Sequence, residues 1–193
     1  RCARLESILC RTMTNRGVTL IPAFSLGRTQ ELLYELNRIF EGIEVKRTCS
    51  LIDQIDVIVD SPLALKLTSV YNSMQEHWGE EAKDILTVDR QPLIFKNLVQ
   101  IDGKGEHHGT LEYLKRSRKP AFVIAGSGMC NGGRIVDYLK AFLGHESTDV
   151  IFIGYQANGT LGRQLQDNPN RRIRIDHQEI DVKARIHSLS GYS

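Results

Sequence analysis

The chain has 193 residues, of which 41% are hydrophobic and 25% charged, and its formal net charge is +2. These values suit one sizeable globular core and exclude a disordered or low-complexity polymer. A charge so close to neutral leaves any affinity for phosphate to local clusters rather than to the overall field.

In chain order, Leu5 to Thr14 predicts a helix stopped near Gly17. Val18-Thr-Leu-Ile-Pro-Ala-Phe24 predicts a buried strand, Ser25-Leu-Gly-Arg28 a turn, and Thr29 to Phe40 a helix with Leu32, Leu33, Leu36 and Phe40 at helical spacing. A second unit follows. Asp56 to Val59 reads as a strand, Ser61 as an N-cap and Pro62 as the first helical residue. The helix after it places Leu65, Leu67, Val70, Tyr71 and Met74 mostly on one face. Trp78 to Lys119 is polar, and Lys104 to Gly109 is expected to be a surface loop. A third unit comprises the strand Ala121 to Ala125, the turn Gly126 to Gly133, and a helix carrying Ile135, Val136, Leu139, Phe142 and Leu143. The fourth comprises the strand Val150 to Gly154, the turn Tyr155 to Gly159, and a short helix with Leu161 and Leu165. At the end, Ile173 and Ile175 alternate with arginines. After a turn, Val182, Ala184 and Ile186 alternate with polar residues, which predicts an antiparallel hairpin over 171–193.

Short strands that are apolar on both faces and separated by helices indicate a parallel sheet covered on both sides. The expected fold is therefore α/β, a three-layer Rossmann-like parallel sheet with a C-terminal antiparallel hairpin, in one domain over 1–193. In such sheets ligands bind beyond the carboxyl ends of the strands, where the Gly/Ser-rich turns should converge. The longest apolar runs are too short to cross a bilayer. No leader pattern stands at the amino terminus. The cysteines at 2, 10, 49 and 130 form no Cys-x-x-Cys pair. Reduced thiols in a cytoplasmic protein with no membrane partner are expected.

The turns offer chemistry but no reaction. Gly128-x-x-x-x-Gly133-Arg134-Ile135 has Arg and Ile where a phosphate-binding P-loop needs Lys and a hydroxyl, so a nucleoside-triphosphatase loses its metal ligand. A dinucleotide fingerprint is broken at Asn131, and Gln156 stands where an acid is needed. What remains is a possible anion site made of backbone N–H groups at a helix start, with Ser127 as hydroxyl donor and Arg134 as a charged one. The competing reading is that these glycines only allow close helix–sheet packing. Gly27-Arg28-Thr29 poses the same choice. An arginine at a helix start is badly placed for the dipole unless an anion shares the site, yet a lone arginine commonly turns to solvent. Asp60 either acts in catalysis or caps a helix, and its residue type favours capping. His177 and His187 are expected at the surface. None of the six histidines has the spacing of a metal site, so neither metal ligands nor catalytic residues are assigned.

Several ordered stretches go further. Ile21-Pro-Ala-Phe-Ser-Leu-Gly-Arg-Thr-Gln-Glu31, Asp60-Ser-Pro-Leu-Ala64, Ser127-Gly-Met-Cys-Asn-Gly-Gly-Arg-Ile135, Gly154 to Arg163 and Val182 to Ser193 resemble, in this order, segments of the β-CASP domain of RNA-processing nucleases in the metallo-β-lactamase superfamily. The resemblance implies a zinc-dependent nuclease of two lobes, with zinc held by a metallo-β-lactamase lobe and a β-CASP lobe closing a cleft over single-stranded RNA. It implies that this chain is the RNA-binding lobe only, inactive alone, with zinc in the parent enzyme and none here, and that a homodimer is possible. It assigns Arg28 and Ser127 to the cleft. With Thr29, Ser61, Gly128, Gly133 and Arg134 they form the expected phosphate-binding set. A catalytically inactive nucleic-acid-binding scaffold, like relatives in processing complexes, is the alternative, and a nucleotide-binding regulatory domain a third. Asn131, Asn158 and Leu63 depart from the residues common in the family.

Overall fold

The structure, a computed structural model, describes residues 2–41, 52–80, 91–168 and 172–189. Cys49, and the last residues of the expected hairpin segment, lie outside them.

In chain order the elements are α1 (Cys2–Asn15), β1 (Val18–Pro22), α2 (Arg28–Glu41), β2 (Asp56–Asp60), α3 (Pro62–Ser73), β3 (Leu98–Ile101), α4 (Lys104–Ser117), β4 (Ala121–Ala125), α5 (Arg134–Phe142), β5 (Asp149–Phe152), α6 (Leu161–Asp167), β6 (Arg172–Ile175), β7 (Gln178–Asp181) and β8 (Arg185–Ser188). Six strands form one sheet in the order β3-β2-β4-β1-β5-β8, and every neighbouring pair is parallel. β6 and β7 form a separate antiparallel hairpin. The expected three-layer α/β architecture is observed.

Strand side chains alternate between two apolar layers, as the pleat requires. Ile21, Val57, Val59, Phe122, Ile124 and Ile151 pack with Leu5, Leu9, Leu32, Leu33, Leu36 and Ala64 of α1, α2 and α3. Leu20, Ile58, Val123, Val150 and Phe152 pack on the other side with Leu114 of α4, Ile135, Tyr138 and Leu139 of α5, and Leu165 of α6. Each large side chain buried in this way contributes about 1.5–3 kcal/mol relative to exposure.

Several elements depart from the sequence reading. Lys104 to Gly109 is the first turn of α4 rather than a loop. The Glu106 carboxylate reaches back to accept from the N–H groups of Asp102 and Gly103, both at 3.1 Å, which nucleates the helix that the polar composition hid. On α3 the buried residues are Ala64 and Thr68, whereas Val70 and Met74 are exposed, because the helix seats its small face against α2. Gln30 of α2 donates to the Thr68 hydroxyl at 2.9 Å. The hairpin partner of β6 is Gln178–Asp181, closed by Asp176 at φ +53. The alternation at 182–188 instead leads into β8, which joins the main sheet beside β5. Periodicity reports an extended chain and not which sheet it joins.

The order of strands places the candidate site. The connections β1 to β2 and β2 to β3 run toward the β3 edge through α2 and α3, in one layer. The connections β3 to β4 and β4 to β5 run the other way through α4 and α5, in the opposite layer. Crossovers of one hand demand this reversal. β1 and β4 are neighbours in register, Pro22 opposite Ala125, yet the segments that follow them leave to opposite faces. Such a reversal is where the carboxyl edge of an open sheet offers room for a ligand.

Candidate functional site

The turns after β1, β2, β4 and β5 meet at this edge. Ala23 N–H donates to Ala125 O at 3.1 Å, continuing the β1–β4 ladder into the turns. The Ser25 and Ser61 hydroxyls lie 3.3 Å apart, which joins the first turn to the second. Phe24 lies against Gly128 so closely that a β-carbon there would sit 2.7 Å from the ring. Arg28 approaches the fourth turn, its Nε 4.0 Å from where a β-carbon on Gly154 would stand. Arg28 and Ser127 therefore both stand at the carboxyl edge of the sheet, in turns that touch one another.

The third turn is built by close approach. Gly133 caps α5 at φ +76, and a β-carbon on it would lie 2.5 Å from Gly126 O. That space lets Ile135 N–H reach Gly126 O at 2.9 Å and Ser127 N–H reach Gly132 O at 3.2 Å. The Ser127 hydroxyl is buried and has no partner among the described residues. An unsatisfied buried hydroxyl costs about 1–3 kcal/mol.

The expected site residues divide into two groups. Arg28 is partly open to solvent, and its Nη1 donates to Glu31 at 3.1 Å, which leaves donor capacity on a planar guanidinium. Ser127 has its hydroxyl unused, and Gly128 and Gly133 shape the turn around it. The others are committed within the fold. The Thr29 hydroxyl donates to Phe24 O at 2.8 Å and is buried. Ser61 caps α3 by accepting from Ala64 N–H at 3.3 Å, as its residue type foretells. Arg134 Nη1 donates to Asp60 Oδ1 at 2.5 Å and to Ile101 O at 3.1 Å, and its Nη2 donates to Asp102 O at 2.6 Å.

Asp60 is not the helix cap expected of it. It is fully buried at the end of β2 and is the hub of a network. Besides Arg134, its carboxylate accepts from Tyr138 Oη at 2.6 Å and faces His107 Nδ1 at 2.6 Å. His107 Nε2 faces Asp137 at 3.2 Å. Burial, and then the bond to Asp60, push the Tyr138 hydroxyl far above its ordinary range, so it stays a neutral donor. Burial alone would raise the Asp137 carboxyl, but hydrogen bonds from Lys140 and His107 outweigh it and hold the group below its ordinary value. His187, expected at the surface, is only partly exposed and faces Asp149 at 2.6 Å.

Two residues that stitch the turns together escaped the sequence reading. Gln156 is buried, and its Nε2 donates to Gly128 O at 2.8 Å and to Gly154 O at 3.3 Å. Asn131 Oδ1 accepts from Leu161 N–H at 3.2 Å. Gly162 lies tight against Gln156, so a β-carbon there would displace the carboxamide from this stitch. Only a Gly-x-Gln following an apolar strand hinted at this stitch. In the turns at this edge and at the start of α3, Phe24, Leu26, Leu63 and Tyr155 are exposed, Tyr155 by 72%.

Among the described residues no group of three or more His, Cys, Asp or Glu could hold a metal ion, and no helix is long and apolar enough to cross a membrane. The zinc that the resemblance implies finds no set of ligands there.

Comparison with known proteins gives the family. The model of the Beta-Casp domain family matches residues 29–165. Ribonuclease TTHA0252 of Thermus thermophilus is 32% identical over 186 residues, covering 96% of this chain and 40% of that protein. Transcription termination factor FttA of Methanosarcina mazei is 28% identical over 163 residues, covering 84% of this chain and 24% of that protein. The FttA of Methanothermobacter thermautotrophicus is 27% identical over 198 residues, covering 98% and 29% respectively. The chain thus spans well under half the length of these relatives.

Proposed function

The chain belongs to the Beta-Casp domain family, and from that premise we propose that its carboxyl edge grips the phosphates of a single-stranded RNA in a ribonuclease of RNA processing or decay. In this reading the chain is one domain, the RNA-binding lobe of a hydrolase, inactive alone, and it works in the cytoplasm. Phosphodiester hydrolysis belongs to a metallo-β-lactamase lobe, where zinc is held by residues other than those described here. The chain's own residues bind and position. Arg28 places a guanidinium fork against a phosphate, and backbone N–H groups of the turns add donors. Ser127 supplies a hydroxyl. Exposed Phe24 and Tyr155 offer ring faces for bases between the phosphates.

The observation that carries the proposal is the unpartnered Ser127 hydroxyl, at the same edge of the sheet as Arg28. The Ribonuclease name of one relative, and the termination-factor name of others, support RNA as the ligand. The test is the binding of a labelled single-stranded RNA followed by fluorescence anisotropy over a range of salt. Arg28→Ala is expected to weaken binding roughly tenfold and to lower the salt slope by about 0.7, the loss of one phosphate contact to a single strand. Ser127→Ala weakens it less and leaves the slope unchanged, since a neutral donor releases no counterion. Wild-type affinity and slope in Arg28→Ala would refute the reading.

A further inference from the structure

The opposite edge of the sheet holds a second basic feature that the carboxyl-edge reading does not use. A cavity of about 850 Å³ lies where the chain enters β1, β4 and β5. Arg16, Lys115, Arg116, Arg118 and Lys183 line it with His145, and Glu146 is the one acidic residue among the lining. All of these are exposed. Lys115 and Arg116 share Glu112, at 2.7 and 3.9 Å, on the outer side of α4. Like charges gathered around one cavity repel each other unless an anion enters.

A simpler account exists for part of this charge. α1, α4 and α5 all end at this edge, and their carbonyl ends attract cations whatever else binds. It does not cover where two of these cations stand. Arg16 and Arg118 follow α1 and α4 in the left-handed region, at φ +49 and +50. That position is ordinarily glycine or asparagine, because a β-carbon is strained there. A cation could serve either helix end from the preceding turn without strain, yet an arginine occupies the strained position twice, and both border the same cavity. Lys183 stands at the end of α5, its N–H donating to Leu143 O at 2.9 Å, so its charge falls under the helix-end account.

We infer that this amino-edge cavity is a second anion site, which takes phosphates of the nucleic-acid strand well away from the carboxyl edge. The phosphate chemistry rests on the charges here, and the choice of RNA as its source rests on the function proposed above. A strand held at both ends of the sheet would bind with two separable sets of contacts, each with its own share of the salt dependence.

The double variant Arg16→Gly/Arg118→Gly separates binding from folding, because glycine relieves both left-handed residues. Its Tm should hold or rise by about 2 °C. Its affinity for a long single-stranded RNA should fall roughly tenfold, with a salt slope lower by about 1.4, two contacts' worth. Lys183→Glu should weaken binding in the same direction. Inorganic phosphate alone should shift the amide NMR signals of Gly17 and Ser147 in the wild type and not in the double variant. Unchanged RNA affinity and slope in both variants overturn the inference. If phosphate shifts those signals while RNA binding is unaffected, the cavity serves a small anion, and the nucleic-acid assignment falls. Arg28→Ala measured alongside keeps the two readings apart. If it weakens binding while the amino-edge variants do not, only this inference fails.

Discussion

Gly133 illustrates how much of the edge depends on the absence of one carbon. Its φ of +76 is open to glycine at little cost, and its α-carbon sits where a side chain would strike the Gly126 carbonyl. Gly133→Ala therefore combines left-handed strain with a backbone clash, and should destabilise the fold by about 2–4 kcal/mol, read as a lower urea midpoint with an unchanged m-value. An unaltered midpoint would mean that the turn has another arrangement open to it. At this scale the sequence was readable where one residue has one strong local preference. Ser61 before Pro62 gave the cap, and the glycines gave the turn. It was opaque where a residue's partners are distant. Asp60 has the composition of a cap, and its true partners Tyr138 and Arg134 are 78 and 74 positions away.

Between elements, Asp60 ties the end of β2 to α4 through His107 and to α5 through Arg134 and Tyr138. The same contacts hold the start of α5, and with it the Gly126–Gly133 turn that carries Ser127. Asp60→Asn removes the charge and leaves Arg134 and His107 facing a neutral amide in a buried site. A loss of about 3–5 kcal/mol is expected in equilibrium unfolding, the size found when one partner of a buried ion pair is removed. A loss below about 1 kcal/mol would show that the network is peripheral to stability. Helices and strands with apolar periodicity were legible in the sequence to within a few residues, α1 starting at Cys2 where Leu5 was expected. α4 was missed because its first turn is stabilised by the Glu106 side chain rather than by apolar spacing. The hairpin was shifted because β7 carries little apolar pattern, while the chain leading into β8 carries a clear one.

For the whole molecule, the strand order does what no single motif could. It sends the β1 and β4 connections to opposite faces and so brings the turns of Arg28 and Ser127, far apart in sequence, to one edge of the sheet. Convergence of the turns at the carboxyl edge was foreseeable from topology rules. The stitching by Gln156 and Asn131 was not, because a polar residue in a turn has the same composition whether it faces water or a neighbouring carbonyl. The account stands or falls on whether RNA occupies this edge, and amide hydrogen exchange with and without single-stranded RNA tests that directly. The account predicts slowed exchange in 23–28, 126–133 and 154–160 on binding. Protection that spares 126–133 while the RNA is fully bound would contradict it.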